Sequence, residues 1–155
     1  MRKFLLYTIL FLALAGAVDA GYLLIETMKG TAVVCPSVPI GQFNLNQCNI
    51  VLATSYAKIF GLPNALYGLI AYLFFTLLAL YELVHGLTGK RKTGSIKLLS
   101  YLSSFGLLVF VYFVYLQLFV IKALCFYCLL STITMTLIFI LSVIYNFKHS
   151  KTSGT

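Results

Sequence analysis

The chain has 155 residues, of which 61% are hydrophobic and only 9% are charged, whereas soluble domains carry about 25% charged residues. This composition excludes a soluble globular protein and a disordered chain, because too little polar surface remains to face water on all sides. The net charge of +8 does not indicate nucleic-acid binding, since the basic residues stand at the ends of apolar runs and read as topology signals.

Four apolar runs are long enough to cross a membrane, whose hydrocarbon core of about 30 Å needs about 20 residues of helix. Helices are expected because an open strand cannot satisfy its backbone hydrogen bonds in lipid. The sequence therefore predicts an all-α membrane protein, a four-transmembrane-helix bundle forming one domain over residues 1–155. The predicted spans cover about residues 4–25, 63–83, 98–121 and 123–147.

The loops between these spans differ in charge, and this difference predicts their orientation. Eight of the 11 basic residues precede the first span, separate spans two and three, or follow span four. Because cytoplasmic loops carry the excess of Lys and Arg, both termini are expected in the cytoplasm. The loop at about residues 26–62 and the turn near Lys122 are then extracytoplasmic. The protein itself is expected in the plasma membrane of the cell.

The start of the chain also fits a second interpretation, a cleavable signal peptide. A basic segment, Met1-Arg2-Lys3, precedes an apolar run that ends at Val18-Asp19-Ala20, which has the small residues of a cleavage site. A full first span is favoured because the apolar pattern resumes at Tyr22. Asp19 is the one acid clearly within a span, and it is a candidate proton donor or structural anchor.

The four cysteines all fall on the predicted outer side, where an even number of cysteines indicates disulfide chemistry. Cys125 and Cys128 form a C-x-x-C pair at the start of the last span. Three residues apart on a helix, their sulfurs share a face, and the partial positive charge of a helix N-terminus favours a thiolate. This pattern indicates a redox site.

Cys35 and Cys48 lie in the outer loop, in a segment rich in proline and glycine that cannot be helical throughout. A simple loop-closing disulfide is one interpretation of this pair. The other is a mobile dithiol that exchanges with Cys125 and Cys128.

Three segments around these cysteines resemble the vitamin K epoxide reductase family in its prokaryotic, quinone-reducing form without a fused thioredoxin-like domain. The loop pair comes first and the C-x-x-C pair opens the last span, the reverse of the order in the DsbB family. The resemblance also implies a short half-helix after the loop cysteine. The matching segments are residues 48–57, Phe60-Gly61-Leu62-Pro63-Asn64-Ala65-Leu66-Tyr67-Gly68 and residues 115–128.

The resemblance implies an enzyme, a quinone-dependent dithiol oxidoreductase that drives disulfide formation in exported proteins. Cys35 exchanges with a soluble or anchored thioredoxin-fold, DsbA-like partner. Cys48 then attacks Cys125, and Cys128 delivers the electrons to a ubiquinone or menaquinone.

The resemblance also implies residues that bind the quinone. Asn64 matches an asparagine whose amide donates a hydrogen bond to a quinone carbonyl, and Tyr67 lies one turn further along the same helix. Thr54 matches a Ser/Thr position near the loop cysteines, and Tyr127 belongs to the last span. Thr132 stands where vertebrate members carry a tyrosine that binds the substrate.

Three other functions remain open on the sequence alone. Partner thiols reduce vitamin K or its epoxide in one version of the same chemistry. A second alternative is a four-span scaffold held by inert disulfides. In the third, the four cysteines hold a structural zinc ion, although no metal is expected in the favoured interpretation.

Overall fold

The computed structural model describes residues 2–37, 39–40, 43–87 and 93–153. Val38, Gly41 and Gln42 of the predicted loop, and Lys90, Arg91 and Lys92 of the basic cluster, lie outside the described residues. The elements in chain order are α1 (Arg2–Lys29), β1 (Pro39–Ile40), β2 (Phe43–Asn44), α2 (Cys48–Ala53), a 3-10 turn (Ser55–Ala57), β3 (Lys58–Ile59), β4 (Leu62–Pro63), α3 (Asn64–Leu87), α4 (Thr93–Tyr115), a π-helical segment (Leu116–Ile121) and α5 (Phe126–Ser153).

Four helical stretches in the described part of the chain are long and apolar enough to cross a membrane, which confirms the predicted fold class. They cover Lys3–Lys29, Asn64–His85, Lys97–Ile121 and Phe126–Phe147. The last begins at Phe126 and not near residue 123, because the residues before it pair with the outer loop. Large apolar side chains such as Phe11, Phe105 and Leu108 are exposed on the outside of the bundle, where lipid surrounds them.

The loop between the first two spanning helices carries little regular structure. The strands β1 and β2 pair antiparallel, as do β3 and β4. Each strand of these two hairpins has only two residues. Between the hairpins lie α2 and the 3-10 turn, which occupy the position of the expected half-helix. The regular helix ends at Ala53, because the Thr54 backbone is extended.

The core of the bundle is built by α1 against α3 and α5, through small side chains that let the helices approach closely. Ala13, Ala17 and Ala20 of α1 are buried. Gly16, on the same helix, lies under the Tyr72 ring of α3, where a Cβ atom would overlap the ring. The buried cluster comprises Ile9, Ala13, Ala17, Ala20, Tyr72, Phe75, Ala79, Leu99, Met135 and Ile138.

The close contact at Gly16 predicts a position-specific loss of stability. Gly16→Ala is expected to destabilise the protein by about 1–3 kcal/mol, the usual cost of overpacking, because the Tyr72 ring is fully buried. Gly21→Ala on the same helix is the matched control, since its Cβ would meet only Leu69 Cδ1 at 4.0 Å. Thermal unfolding in detergent measures both variants, and equal melting temperatures would contradict the prediction.

The contact between α4 and α5 includes a small polar cluster. The hydroxyls of Ser103 and Ser142 lie 2.9 Å apart, and the Ser100 hydroxyl donates to the Ser142 carbonyl at 3.3 Å. These hydrogen bonds satisfy the serine hydroxyls inside the bundle, so Ser100 and Ser103 of the third span contribute to helix packing.

Candidate active site

A turn after α1 brings Cys35 back over the bundle. Helix α1 ends at Lys29, and Gly30 follows with a positive φ of 67°, a conformation that glycine adopts without strain. The Asn49 side chain then pairs with the Val33 backbone, accepting from its N–H at 2.7 Å and donating to its carbonyl at 3.2 Å. This pairing holds the segment that carries Cys35 against α2, and Cys35 forms a disulfide with Cys48.

A short antiparallel pairing joins the outer loop to the segment just before α5. The Phe126 N–H donates to the Leu45 carbonyl at 3.2 Å, and the Gln47 N–H donates to the Leu124 carbonyl at 3.2 Å. The Gln47 side chain closes the pairing by accepting from the Leu124 N–H at 3.3 Å. Asn46 is consequently paired with Cys125, so the loop pair and the C-x-x-C pair are brought together by backbone hydrogen bonds.

The approach to Cys125 is shaped by the π-helical segment. After it, Lys122 takes a positive φ of 54°, and the chain becomes extended. Gln117 holds this turn twice, accepting from the Ala123 N–H through its carbonyl at 3.1 Å and from the Cys125 N–H through Oε1 at 3.0 Å. The glutamine is buried, and it fixes where Cys125 stands.

Cys125 lies directly before the first residue of α5, in the position of a helix N-cap. Its sulfur accepts a hydrogen bond from the Cys128 N–H at 3.3 Å, as a capping side chain does. Hydrogen bonding from the Cys128 thiol lowers the pKa of Cys125, and bonds from backbone N–H groups add to this, while burial opposes it. A lowered pKa gives more thiolate at neutral pH, and the thiolate is the form that exchanges with disulfides.

All four cysteines belong to one apolar cluster at the end of the bundle. Cys48 and Cys125 are fully buried, while Cys35 and Cys128 are half-buried beside them. Cys125 and Cys128 are free thiols. The other buried members of the cluster are Leu23, Val33, Val51 and Ala123.

A cavity of about 480 Å³ opens beside Cys128, which lies in its wall. Residues from α1, α2, α3, α4, the π-helical segment and α5 line it, and nearly all of them are apolar. Ligand sites typically measure about 300–1,000 Å³ and combine an apolar wall with a few placed polar groups. The cavity therefore fits an apolar ligand that reaches Cys128.

Three of the five residues expected to bind a quinone line this cavity: Thr54, Asn64 and Tyr67. Asn64 Nδ2 donates to the Tyr56 carbonyl at 2.8 Å, which orients the amide and leaves one N–H over. Its Oδ1 is buried without a hydrogen-bond partner among the described residues. The Tyr67 hydroxyl donates to the Ile59 carbonyl at 3.1 Å, so Asn64 holds the 3-10 turn and Tyr67 holds the second hairpin.

The other two expected residues do not line the cavity. The Tyr127 hydroxyl donates to the Val34 carbonyl at 3.1 Å, and its ring packs against Tyr22 with centroids 5.2 Å apart. The Thr132 hydroxyl donates to the Cys128 carbonyl of its own helix at 2.9 Å. Tyr127 thus secures the loop that carries Cys35, whereas Thr132 is engaged within α5.

The cavity wall also contains polar residues that were not expected from the sequence, among them Gln117 and Ser131. The signal for Gln117 is a lone amide in an otherwise apolar run, immediately before the turn to Cys125. Ser131 follows Cys128 by three residues, which places both on one face of a helix. Its neighbour Thr132 drew attention instead, because the family comparison pointed to that position.

Apolar spanning helices, two cysteine pairs in one buried cluster and an apolar cavity at one sulfur define a membrane-embedded thiol oxidoreductase. Residues 7–143 match the model of the vitamin K epoxide reductase family. The chain belongs to that family, and the resemblance seen in its motifs is confirmed. No curated protein gives a significant match to the sequence.

Proposed function

We propose that this protein oxidises a dithiol protein and passes the electrons to a membrane quinone. In the first step the partner dithiol reduces the Cys35–Cys48 disulfide. Cys48 then attacks the Cys125–Cys128 disulfide and re-forms its bond to Cys35, which leaves Cys125 and Cys128 as thiols. The single observation that carries the proposal is the clustering of both cysteine pairs, with Cys128 also in the cavity wall.

The bonding state of the sulfurs fits one stage of this sequence of steps. The outer pair is a disulfide and the inner pair is reduced, which corresponds to the stage after electrons have moved inward and before they leave. Each step runs forward when its acceptor is the stronger oxidant, and about 30 mV gives a tenfold bias for a two-electron couple.

A quinone supplies a two-electron, two-proton acceptor that dissolves in the bilayer. The cavity fits such a molecule because its wall is apolar and Asn64 contributes a buried Oδ1 and a remaining N–H. Thr54 and Tyr67 shape the same wall. Tyr127 and Thr132 act on the neighbouring loop and helix in this proposal, and not on the ring.

The proposed sidedness places the site outside the cytoplasm. The cysteine cluster lies at the end of the bundle where α1 and α4 finish and α3 and α5 begin. Eight of 11 basic residues belong to the opposite end or to the segments next to it, and the excess of basic residues marks the cytoplasm. An extracytoplasmic site suits a thioredoxin-fold, DsbA-like partner that oxidises exported proteins.

Purified protein in nanodiscs tests the proposal with ubiquinone or menaquinone and a reduced thioredoxin-fold protein. The expected result is loss of quinone absorbance together with oxidation of one dithiol per quinone reduced. The control lacks quinone and is kept free of oxygen, and its donor is expected to stay reduced. Donor oxidation without quinone consumption would contradict the quinone step, and no donor oxidation would contradict the dithiol substrate.

A further inference from the structure

The acidic residue of the first spanning helix, Asp19, lies inside the bundle and is only 9% exposed. Its Oδ2 accepts a hydrogen bond of 2.6 Å from the Ser131 hydroxyl. Its Oδ1 is buried and has no hydrogen-bond partner in the described part of the chain. A charge in a membrane segment costs about 2.5–3.5 kcal/mol on insertion scales, and such residues often mark proton pathways.

Ser131 connects this carboxyl group to the cavity. It lies one turn after Cys128 on α5, and both residues are in the cavity wall. The Tyr72 hydroxyl donates to the Ser131 carbonyl at 2.9 Å, which fixes that turn of the helix. A single hydroxyl therefore separates Asp19 from the cavity, and a serine hydroxyl both accepts and donates a hydrogen bond.

The carboxyl group also interacts electrostatically with the inner cysteine pair. A charge on Asp19 opposes the lowering of the pKa of Cys125. Among the described residues, the ionisable groups that interact with Asp19 are Tyr72 from α3, Cys125 from the segment before α5, and Tyr127 and Cys128 from α5 itself. None of these groups carries a positive charge in any state, so a proton is the cation available to neutralise this carboxylate.

We propose that Asp19 carries a proton from the inner cysteine pair to the cavity, through the hydroxyl of Ser131. This inference rests on the proposed reduction of a quinone and adds the route of one proton to it. Asp19 acts through Ser131, which is the residue that faces the ligand.

Cys125 and Cys128 lose two protons and two electrons as their S–S bond forms, and the quinone gains two electrons and two O–H bonds. Asp19 gives its proton through Ser131 to a quinone oxygen and takes up the proton of Cys128, so that Asp19 returns to its starting state. The proton of Cys125 leaves to water at the loop end, and the second quinone oxygen takes one from water.

Asp19→Asn tests this route because the amide keeps the size of the side chain and an oxygen that accepts from Ser131, but its N–H protons are not acidic enough to be transferred. Pre-reduced protein is mixed with ubiquinone, and oxidation of the inner pair is followed by thiol alkylation. The rate is expected to fall by about 10²-fold, within the usual contribution of a positioned acid or base. Asp19→Glu is expected to recover most of the rate.

Two further measurements separate proton transfer from a structural role. Ubiquinone affinity by equilibrium dialysis and reduction of the protein by its dithiol partner without quinone are both expected to change less than about twofold in Asp19→Asn, since neither uses the relay.

Failure of the relay and failure of the proposed function give different results. Native protein that does not oxidise its inner pair with ubiquinone overturns the proposed function. Native protein that does so, with Asp19→Asn equally fast, overturns the relay. If Asp19→Asn does not fold, Ser131→Ala and Ser131→Thr take its place: the relay requires a slow alanine variant and a threonine variant close to the native rate.

Discussion

Replacing Cys128 with serine is expected to abolish quinone reduction with every thiol donor. The loss should reach at least about 10³-fold, the scale on which removal of an obligatory nucleophile acts, because no other sulfur lines the cavity among the described residues. The side chain is half-buried and close in size to serine, so the fold should be retained. Loss of quinone absorbance under anaerobic conditions measures the effect.

A matched control for this variant is Thr136→Ala, two turns further along α5. The Thr136 hydroxyl donates only to the Thr132 carbonyl of its own helix at 2.8 Å, and Thr136 is outside the cavity wall. This control is expected to keep the native rate. Quinone reduction by Cys128→Ser within tenfold of the native rate would show that electrons leave by another route.

Replacing Cys35 with serine is expected to separate protein donors from small ones. A thioredoxin-fold donor loses its entry point, and quinone reduction should fall by about 10²-fold or more with this donor. A small dithiol should still support reduction within about tenfold of the native rate, because half-buried Cys128 offers it a direct point of attack. Comparing the two donors in one quinone assay gives the result.

The same variant is expected to trap the exchange between the pairs. With Cys35 absent, Cys48 has no partner in the loop, and its neighbour in the buried cluster is Cys125. A Cys48–Cys125 disulfide should therefore accumulate and appear in non-reducing peptide mass spectra. Its absence under oxidising conditions, together with equal loss of activity for both donors, would contradict a relay through these residues.

The second turn on the outer side illustrates what the sequence indicated and what it left open. The position of Cys125 and Cys128 at the start of the last helix followed from spacing and hydropathy. The displacement of that start to Phe126 did not, because it results from backbone pairing with Leu45 and Gln47, which are remote in the sequence. Strand-like pairing of so few residues leaves no periodic pattern to detect.

The predicted quinone-binding residues were also only partly identified from the sequence. Asn64, Tyr67 and Thr54 were expected from motifs and do line the cavity. Thr132 was expected from the family's tyrosine at that position and Tyr127 from its place in the last span, yet their hydroxyls bond to α5 and to the loop. Direction on a helix decides this difference, since adjacent residues point about 100° apart.

Hydropathy and charge were sufficient to predict the membrane environment and the four spanning helices, and the cysteine spacing indicated thiol redox chemistry. These are local properties, and the lipid requirement for an internally satisfied backbone allows few alternatives. Which side chains meet could not be predicted in this way. The Asn49 clasp on Val33, the turn held by Gln117 and the hydrogen bond between Asp19 and Ser131 each join distant or differently facing residues, and such contacts depend on how the helices pack.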